Sequence, residues 1–317
     1  MSDEHANNNL ENNILELKNI LEDDLSIPPL PKDKAVDATP ISAHANDHEE
    51  GETKIWAYMG ACGGVGVTSM AIQTVYALAN KTDKNNKVCL VDLDFERSNI
   101  AACLDMVPSV SIADLNAANG RMDEALCMQF VTNYHNLFSV VCAKGQLGGN
   151  DHIEAGALMA LLDHLCSLYD YIILDVPQMW RPWTKAIVGV VNKFAILSEM
   201  RVPTLHYTRT LNAAICETLP LEQQPDIIIS KYERRSFRNS LFMQDAQKVI
   251  GRDDIKEICV DNETLQEALN CGTPAGSIKP NSRYVEAVNK HVDAWLGVNV
   301  KEETVSHSKW HKRARSA

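Results

Sequence analysis

What the chain does not contain narrows its function first. No run of about 18 apolar residues, the length that spans a bilayer as a helix, occurs in the 317 residues, so no transmembrane helix is expected. The start, Met1-Ser2-Asp3-Glu4-His5, lacks a basic stretch followed by an apolar one, so no secretory leader is expected either. The nine cysteines include no C-x-x-C pair and are odd in number. That argues for reduced thiols in a cytosol rather than a disulfide framework or a cysteine-rich metal site. The ten histidines are dispersed, and the H-x-x-x-H spacing of His307 and His311 falls on the C-terminal tail, so no histidine metal site is expected. No Ser-His-Asp arrangement and no glycosidase-like carboxylate pair can be placed.

Positive charge is also scarce. The formal net charge is −12, and thirteen acids against three lysines within residues 1–53 carry −10 of it. The remainder is close to neutral, and a surface without a basic excess does not attract a DNA backbone. No specific nucleic-acid binding is expected.

At 45% hydrophobic residues, the chain has enough apolar material for one large domain with appendages. Within residues 1–53, Leu10, Ile14, Leu17 and Leu21 recur at helical spacing, and a short amphipathic helix is expected over Asn9–Leu21. It reads equally as a partner-docking helix or as a cap on the domain. From Ile27-Pro28-Pro29-Leu30-Pro31 the pattern loses periodicity and reads as a disordered linker.

Residues 54–297 alternate apolar runs with helical stretches, the pattern of βα units on a mostly parallel sheet. Strands are expected at Ile55–Met59, Val88–Leu93, Leu137–Cys142, Tyr171–Leu174, Lys193–Leu197 and Ile227–Ser230, with Ile258–Val260 at the edge. Helices are expected near Thr68–Leu78, Met122–Val131, Ala155–Leu168, Thr204–Cys216, Leu241–Ile250 and Tyr284–Trp295. Residues 298–317 form a tail with a basic run at Lys309–Arg315 and one Trp. It reads as a frayed solvated end, with anionic lipid or nucleic acid as the alternative contact.

Between the first strand and the first helix lies Ala61-Cys62-Gly63-Gly64-Val65-Gly66-Val67-Thr68-Ser69. A strand, a glycine-rich turn and a helix opening at Thr68-Ser69 are the frame of a phosphate-binding loop, in which backbone N–H groups and the helix dipole face an anion. The position for the phosphate lysine carries Val67. The plain alternative is a glycine turn that only packs helix on sheet. A dinucleotide fingerprint would need glycine at Ser69. A thiol at Cys62, near a helix N-terminus, is a candidate for a lowered pKa; the simpler reading is a small residue filling space.

The loop resembles the variant phosphate loop of the ParA/MinD family, written KGGxGK[ST]. In that family the first lysine reaches the partner's nucleotide across a dimer, and Cys62 stands in its place here. Both lysines are therefore absent. The resemblance extends to Val91-Asp92-Leu93-Asp94-Phe95 and to Tyr171-Ile172-Ile173-Leu174-Asp175-Val176-Pro177. It implies Asp92 as metal-shell support, Asp94 as the group orienting the attacking water, Asp175 as the aspartate holding Mg²⁺ through water, and Thr68 as the Mg²⁺ hydroxyl. Carboxylates at strand ends beside a phosphate loop are what Mg²⁺ and a water nucleophile need. The family's base-recognising Asn-Arg or Asn-Lys pair is Ser230-Lys231 here, and serine lacks the amide's paired donor and acceptor.

A finer resemblance follows Asp175. The run Asp175-Val176-Pro177-Gln178-Met179-Trp180-Arg181-Pro182-Trp183 is similar to the D-x-P-x-x-W-x-x-W segment of CpaE/TadZ proteins, the ParA-like components of Flp/tight-adherence pilus assembly. Asp92–Phe95, Ala101–Asp105, Ser111–Leu115 and Phe138–Val141 also suit that family, and the resemblance covers roughly residues 54–296. Residues 1–53 are too short for the receiver-like domain many such proteins carry. Trp180 and Trp183, three apart, are expected on one helix face, either burying area against the sheet or forming a partner surface. The run Glu233-Arg234-Arg235-Ser236-Phe237-Arg238 reads as a solvated loop, with an acidic partner or a nucleotide as the alternative.

The fold implied is α/β, a P-loop-like sheet flanked by helices. The function implied is a scaffold that localises the Flp/Tad pilus secretion machinery at a pole or the inner-membrane face. It would be a cytoplasmic homodimer binding ATP and Mg²⁺ through Gly63, Gly64, Val65, Gly66, Val67, Thr68, Ser69, Ser230 and Lys231. Hydrolysis would be weak or lost, because such cations supply about 10³-fold or more in rate. Two alternatives stay open: an active positioning ATPase with a dimer cycle, and a ParA-like partitioning or cellulose-synthesis regulator.

Overall fold

The computed structural model describes residues 52–82, 87–144, 153–219, 224–232, 241–259 and 261–298. The helix expected over Asn9–Leu21, the proline-bearing linker, the Glu233–Arg238 run and the basic tail lie outside the described residues.

Eight strands form one sheet: β1 (Lys54–Gly60), β2 (Val88–Asp92), β3 (Thr132–Tyr134), β4 (Phe138–Val141), β5 (Tyr171–Val176), β6 (Lys193–Ser198), β7 (Asp226–Tyr232) and β8 (Lys256–Cys259). Their order is β3-β4-β2-β5-β1-β6-β7-β8, and every pairing is parallel except the β3–β4 hairpin. The α/β expectation holds. The central strands are apolar on both faces because helices cover both sides. In β1, for example, Ile55, Ala57 and Met59 enter one core cluster while Trp56 and Tyr58 enter the other.

One face is covered by α3 (Ile112–Ala117), α4 (Glu124–Gln129), α5 (Ala155–Cys166), α6 (Thr184–Val190) and α7 (Val202–Cys216). The other carries α1 (Val67–Lys81), α2 (Ile100–Cys103), α9 (Asn262–Cys271), α10 (Ala275–Ile278) and α11 (Arg283–Leu296). The remaining helix, α8 (Met243–Ile250), packs with Leu205 of α7 and with Ile227 and Ile229 of β7. Among the described residues no helix is long and apolar enough to cross a membrane.

Two expectations need correction. Leu137–Cys142 is preceded by a strand the periodicity missed: β3 turns into β4 through His135 and Asn136, both left-handed at φ 48 and φ 58. Two successive positive φ values are what a tight hairpin of matching twist requires. Trp180 and Trp183 do not share a helix face, because α6 starts only at Thr184, with Trp183 as its N-cap residue. Their burial expectation holds, since Trp183 is in the core and Trp180 packs against it.

Candidate functional site

The phosphate-loop frame, Asp175 and Asp92 come from three neighbouring strands, because β1, β5 and β2 are adjacent in the sheet. All three end on the same side, as parallel strands must, and open into a cleft of about 900 Å³. Gly63, Gly64, Val65, Gly66, Val67, Thr68 and Ser69 all line it, as do Asp92, Asp94, Asp175, Ser230 and Lys231. Every residue the sequence nominated for the site is thus gathered in one place.

The loop is tight for reasons legible atom by atom. A Cβ on Gly60 would stand 2.9 Å from Val65 Cγ1 and 3.0 Å from Val67 Cγ2. Gly66 has φ +100, a conformation that penalises any side chain, and it is the N-cap of α1. Its carbonyl accepts the first helical bond, from Met70 N at 3.0 Å. The first turn of α1 contains no acidic residue and no side-chain cap, so no side chain of its own helix satisfies its N–H groups or offsets its dipole. Val67 is half-buried and packs on the apolar cluster beneath α1. It brings a branched hydrocarbon where a phosphate cation would stand.

Asp92 closes β2 and is almost wholly buried. Its Oδ1 accepts the Asp94 N–H at 2.9 Å, and its Oδ2 accepts the Ser98 hydroxyl at 2.7 Å and the Ile100 N–H at 3.4 Å. Both oxygens thereby organise the turn that carries Asp94 into the cleft. Burial nevertheless pushes its pKa up to about 6, against the lowering effect of those bonds. Asp175 is also buried, and its carboxyl is pushed well above the usual range, first by burial and then by the Asp92 charge. The Thr68 hydroxyl donates to Asp175 and partly offsets this. Asp94 is half-buried, and its Oδ2 lies 3.7 Å from Arg97 Nε. A second ion pair, Arg181 with Glu96 at 2.7 Å, ties the segment after β5 to the segment after β2.

These residues fit a Mg²⁺ that binds together with phosphates. Such an ion takes one or two carboxylates and completes its shell with phosphate oxygens and water, and Thr68 and Asp175 offer a hydroxyl and a carboxylate side by side. Two buried carboxylates that oppose each other's ionisation are relieved by a divalent cation. Among the described residues no three His, Cys, Asp or Glu side chains are grouped to cage a metal. A cation here therefore needs ligands from a phosphate as well.

The lowered-pKa alternative for Cys62 fails. Burial, and then the Glu199 carboxylate, raise the Cys62 pKa rather than lower it. The plain reading of Cys62 as a small space-filling residue stands. Sequence reasoning also missed several lining residues: Arg97, Asn99 and Gln178, and Asn262, Leu265, Gln266 and Leu269 on α9. The last four recur at i, i+3, i+4 and i+7, which is the signal of one helix face. The helix itself was not expected from the sequence, where Leu265, Ala268 and Leu269 form only a short apolar stripe among amides and acids.

The sequence matches no family model and no curated relative. Solved structures do match. A ParA family ATPase from Chlorobium tepidum superposes with a TM-score of 0.65 at 21% identity, over 76% of this chain and 98% of that one. A chain of the MinC:MinD cell division protein complex from Aquifex aeolicus gives 0.64 at 16% identity, over 78% and 97%. The septum site-determining protein MinD from Pyrococcus horikoshii, complexed with Mg-ADP, gives 0.59 at 19% identity, over 78% and 99%. The fold of this chain is that of the ParA/MinD ATPases.

Proposed function

We propose that this chain is a nucleotide-binding scaffold of ParA/MinD type, of the CpaE/TadZ kind, that works as a homodimer on the Flp/Tad pilus secretion machinery. One observation carries the nucleotide part of this reading. A tight glycine loop, an uncapped helix N-terminus and two buried carboxylates converge on one cleft, while Val67 occupies the lysine position. A Mg²⁺ held there would supply positive charge against the phosphates. Thr68 and Asp175 would hold it, Asp92 would fix the turn bearing Asp94, and the loop N–H groups would cradle the phosphates. With hydrocarbon at Val67, transition-state charge is poorly met, so binding outlasts hydrolysis.

The pilus assignment rests on the tryptophan-bearing segment after Asp175 and on its resemblance to CpaE/TadZ proteins. A cytoplasmic site of action, at a pole or at the inner-membrane face, follows from that assignment. Co-purification of the full-length chain with a tight-adherence secretion ATPase tests it, and the absence of that partner in a strain expressing the machinery refutes it.

A second reading has its own support. Asp94 lines the same cleft within reach of Arg97, and this is where a water-orienting carboxylate belongs in an active positioning ATPase. Turnover of Mg-ATP that Asp94→Ala abolishes would establish that reading instead.

A further inference from the structure

A phosphate cradle without positive charge leaves several negative oxygens to backbone N–H groups alone. Two cations line the cleft among the described residues, Arg97 and Lys231. Arg97 is held against Asp94 and is more than half exposed. Lys231 comes from the end of β7, and its Nζ donates to the Gly64 carbonyl inside the loop at 2.5 Å. The ammonium of a lysine 167 residues downstream thus rests on the loop whose own lysines are replaced.

The backbone is arranged for this contact. The β7–β8 register is regular through Ser230↔Ile258, then shifts, so that Tyr232 rather than Lys231 pairs with Cys259. Such a bulge re-aims the extra side chain. Lys231 sits there at φ 56, a left-handed conformation that non-glycine residues adopt at a cost. The Ser230 hydroxyl lies close by, 3.7 Å from where a Cβ on Gly66 would be. The end of β7 is therefore packed onto the loop from two consecutive residues.

We infer that Lys231 supplies the cation the loop lacks, binding the phosphates beyond the α-phosphate of a nucleoside di- or triphosphate rather than the base edge. An ammonium has three donors. Gly64 takes one, and the other two serve phosphate oxygens. This inference rests on the reading of the cleft as a nucleotide site.

The test is calorimetric titration of the full-length chain and of Lys231→Met and Lys231→Arg with Mg-ATP, Mg-ADP, AMP and adenosine. The wild type binds ATP and ADP more tightly than AMP. Lys231→Met loses about tenfold or more for ATP and ADP, while AMP and adenosine are unchanged within about twofold. Lys231→Arg recovers most of the loss, and adding Val67→Lys to Lys231→Met also restores it from the other side of the loop. A merely structural contact would weaken all four ligands alike, so equal losses overturn the inference, as does an unchanged ATP affinity. A wild-type chain that binds none of the four overturns the nucleotide reading itself, and the inference with it.

Discussion

Asp92 and Asp175 are register partners on the adjacent strands β2 and β5, and both side chains are buried. Parallel neighbours in register project to the same face, so two carboxylates are brought together with the Thr68 hydroxyl. Burial pushes both toward the protonated form, and the Asp92 charge adds to this at Asp175. Perturbed carboxylates of this kind cluster at functional sites. The proposed nucleotide site gives the pair a use, since a cation bound there together with phosphate would relieve it.

Replacing Asp175 by Asn should therefore separate stability from function. A buried acid with a raised pKa holds its proton better folded than unfolded, so it stabilises at low pH and loses that contribution as pH rises through the folded value. At pH 7 the Asn variant should be as stable as the wild type or more so, by on the order of 1 kcal/mol. Its nucleotide affinity should no longer respond to Mg²⁺. Thermal melts and titrations with and without Mg²⁺ check both points, and a clearly destabilised variant would show the charge to be structural.

The loop glycines should be intolerant in a position-dependent way. Gly66→Ala, at φ +100, should cost about 1–3 kcal/mol and weaken nucleotide binding. Gly60→Ala should do likewise through its clash with Val65 and Val67. Gly189→Ala, in α6 with open space where the Cβ would go, should instead be neutral or stabilise by up to about 1 kcal/mol. Chemical denaturation of the three variants reads this directly.

His291 gives a pH signature away from the cleft. It is 6% exposed, both ring nitrogens lack partners, and burial drives its pKa down to about 4 against the pull of Asp226 at 4.0 Å. Lys256 faces it as well and adds to the lowering, and its own Nζ is paired with Asp226 at 2.5 Å. The unfolded chain then binds the extra proton between about pH 6.5 and 4, so stability falls as pH falls through that window. The loss should reach about 3 kcal/mol at most. His291→Leu should flatten this part of the stability–pH curve, and an unaltered slope would place the titration elsewhere.

The tryptophans should behave unequally. Trp183, 5% exposed in the core against α6, should cost about 3–5 kcal/mol on truncation to Ala. Trp180, only partly buried, should cost less than half as much. A Trp183→Ala variant with near wild-type denaturation would return that residue to the partner-surface reading.

Much of this was legible in the sequence, and the limits have physical causes. The central strands read clearly because a sheet covered on both faces makes continuous apolar runs such as Ile172-Ile173-Leu174. The strand-end positions of Asp92 and Asp175 followed from those runs. The β3 strand escaped because three residues carry no period and its turn uses His135-Asn136 rather than a glycine pair. The face of α9 that lines the cleft escaped because its residues are amides and leucines separated in sequence from any motif. Lys231 was placed at the site by resemblance, but a bulge that turns its ammonium onto Gly64 has no signature in residue order.

The most direct test of the account is calorimetric titration of the full-length chain with Mg-ATP and Mg-ADP, followed by a turnover assay on the same preparation. Micromolar binding with turnover far below that of a lysine-bearing loop is the expected result. No binding up to millimolar nucleotide would contradict it, and the Ala61–Ser69 loop would then be a structural turn without a ligand.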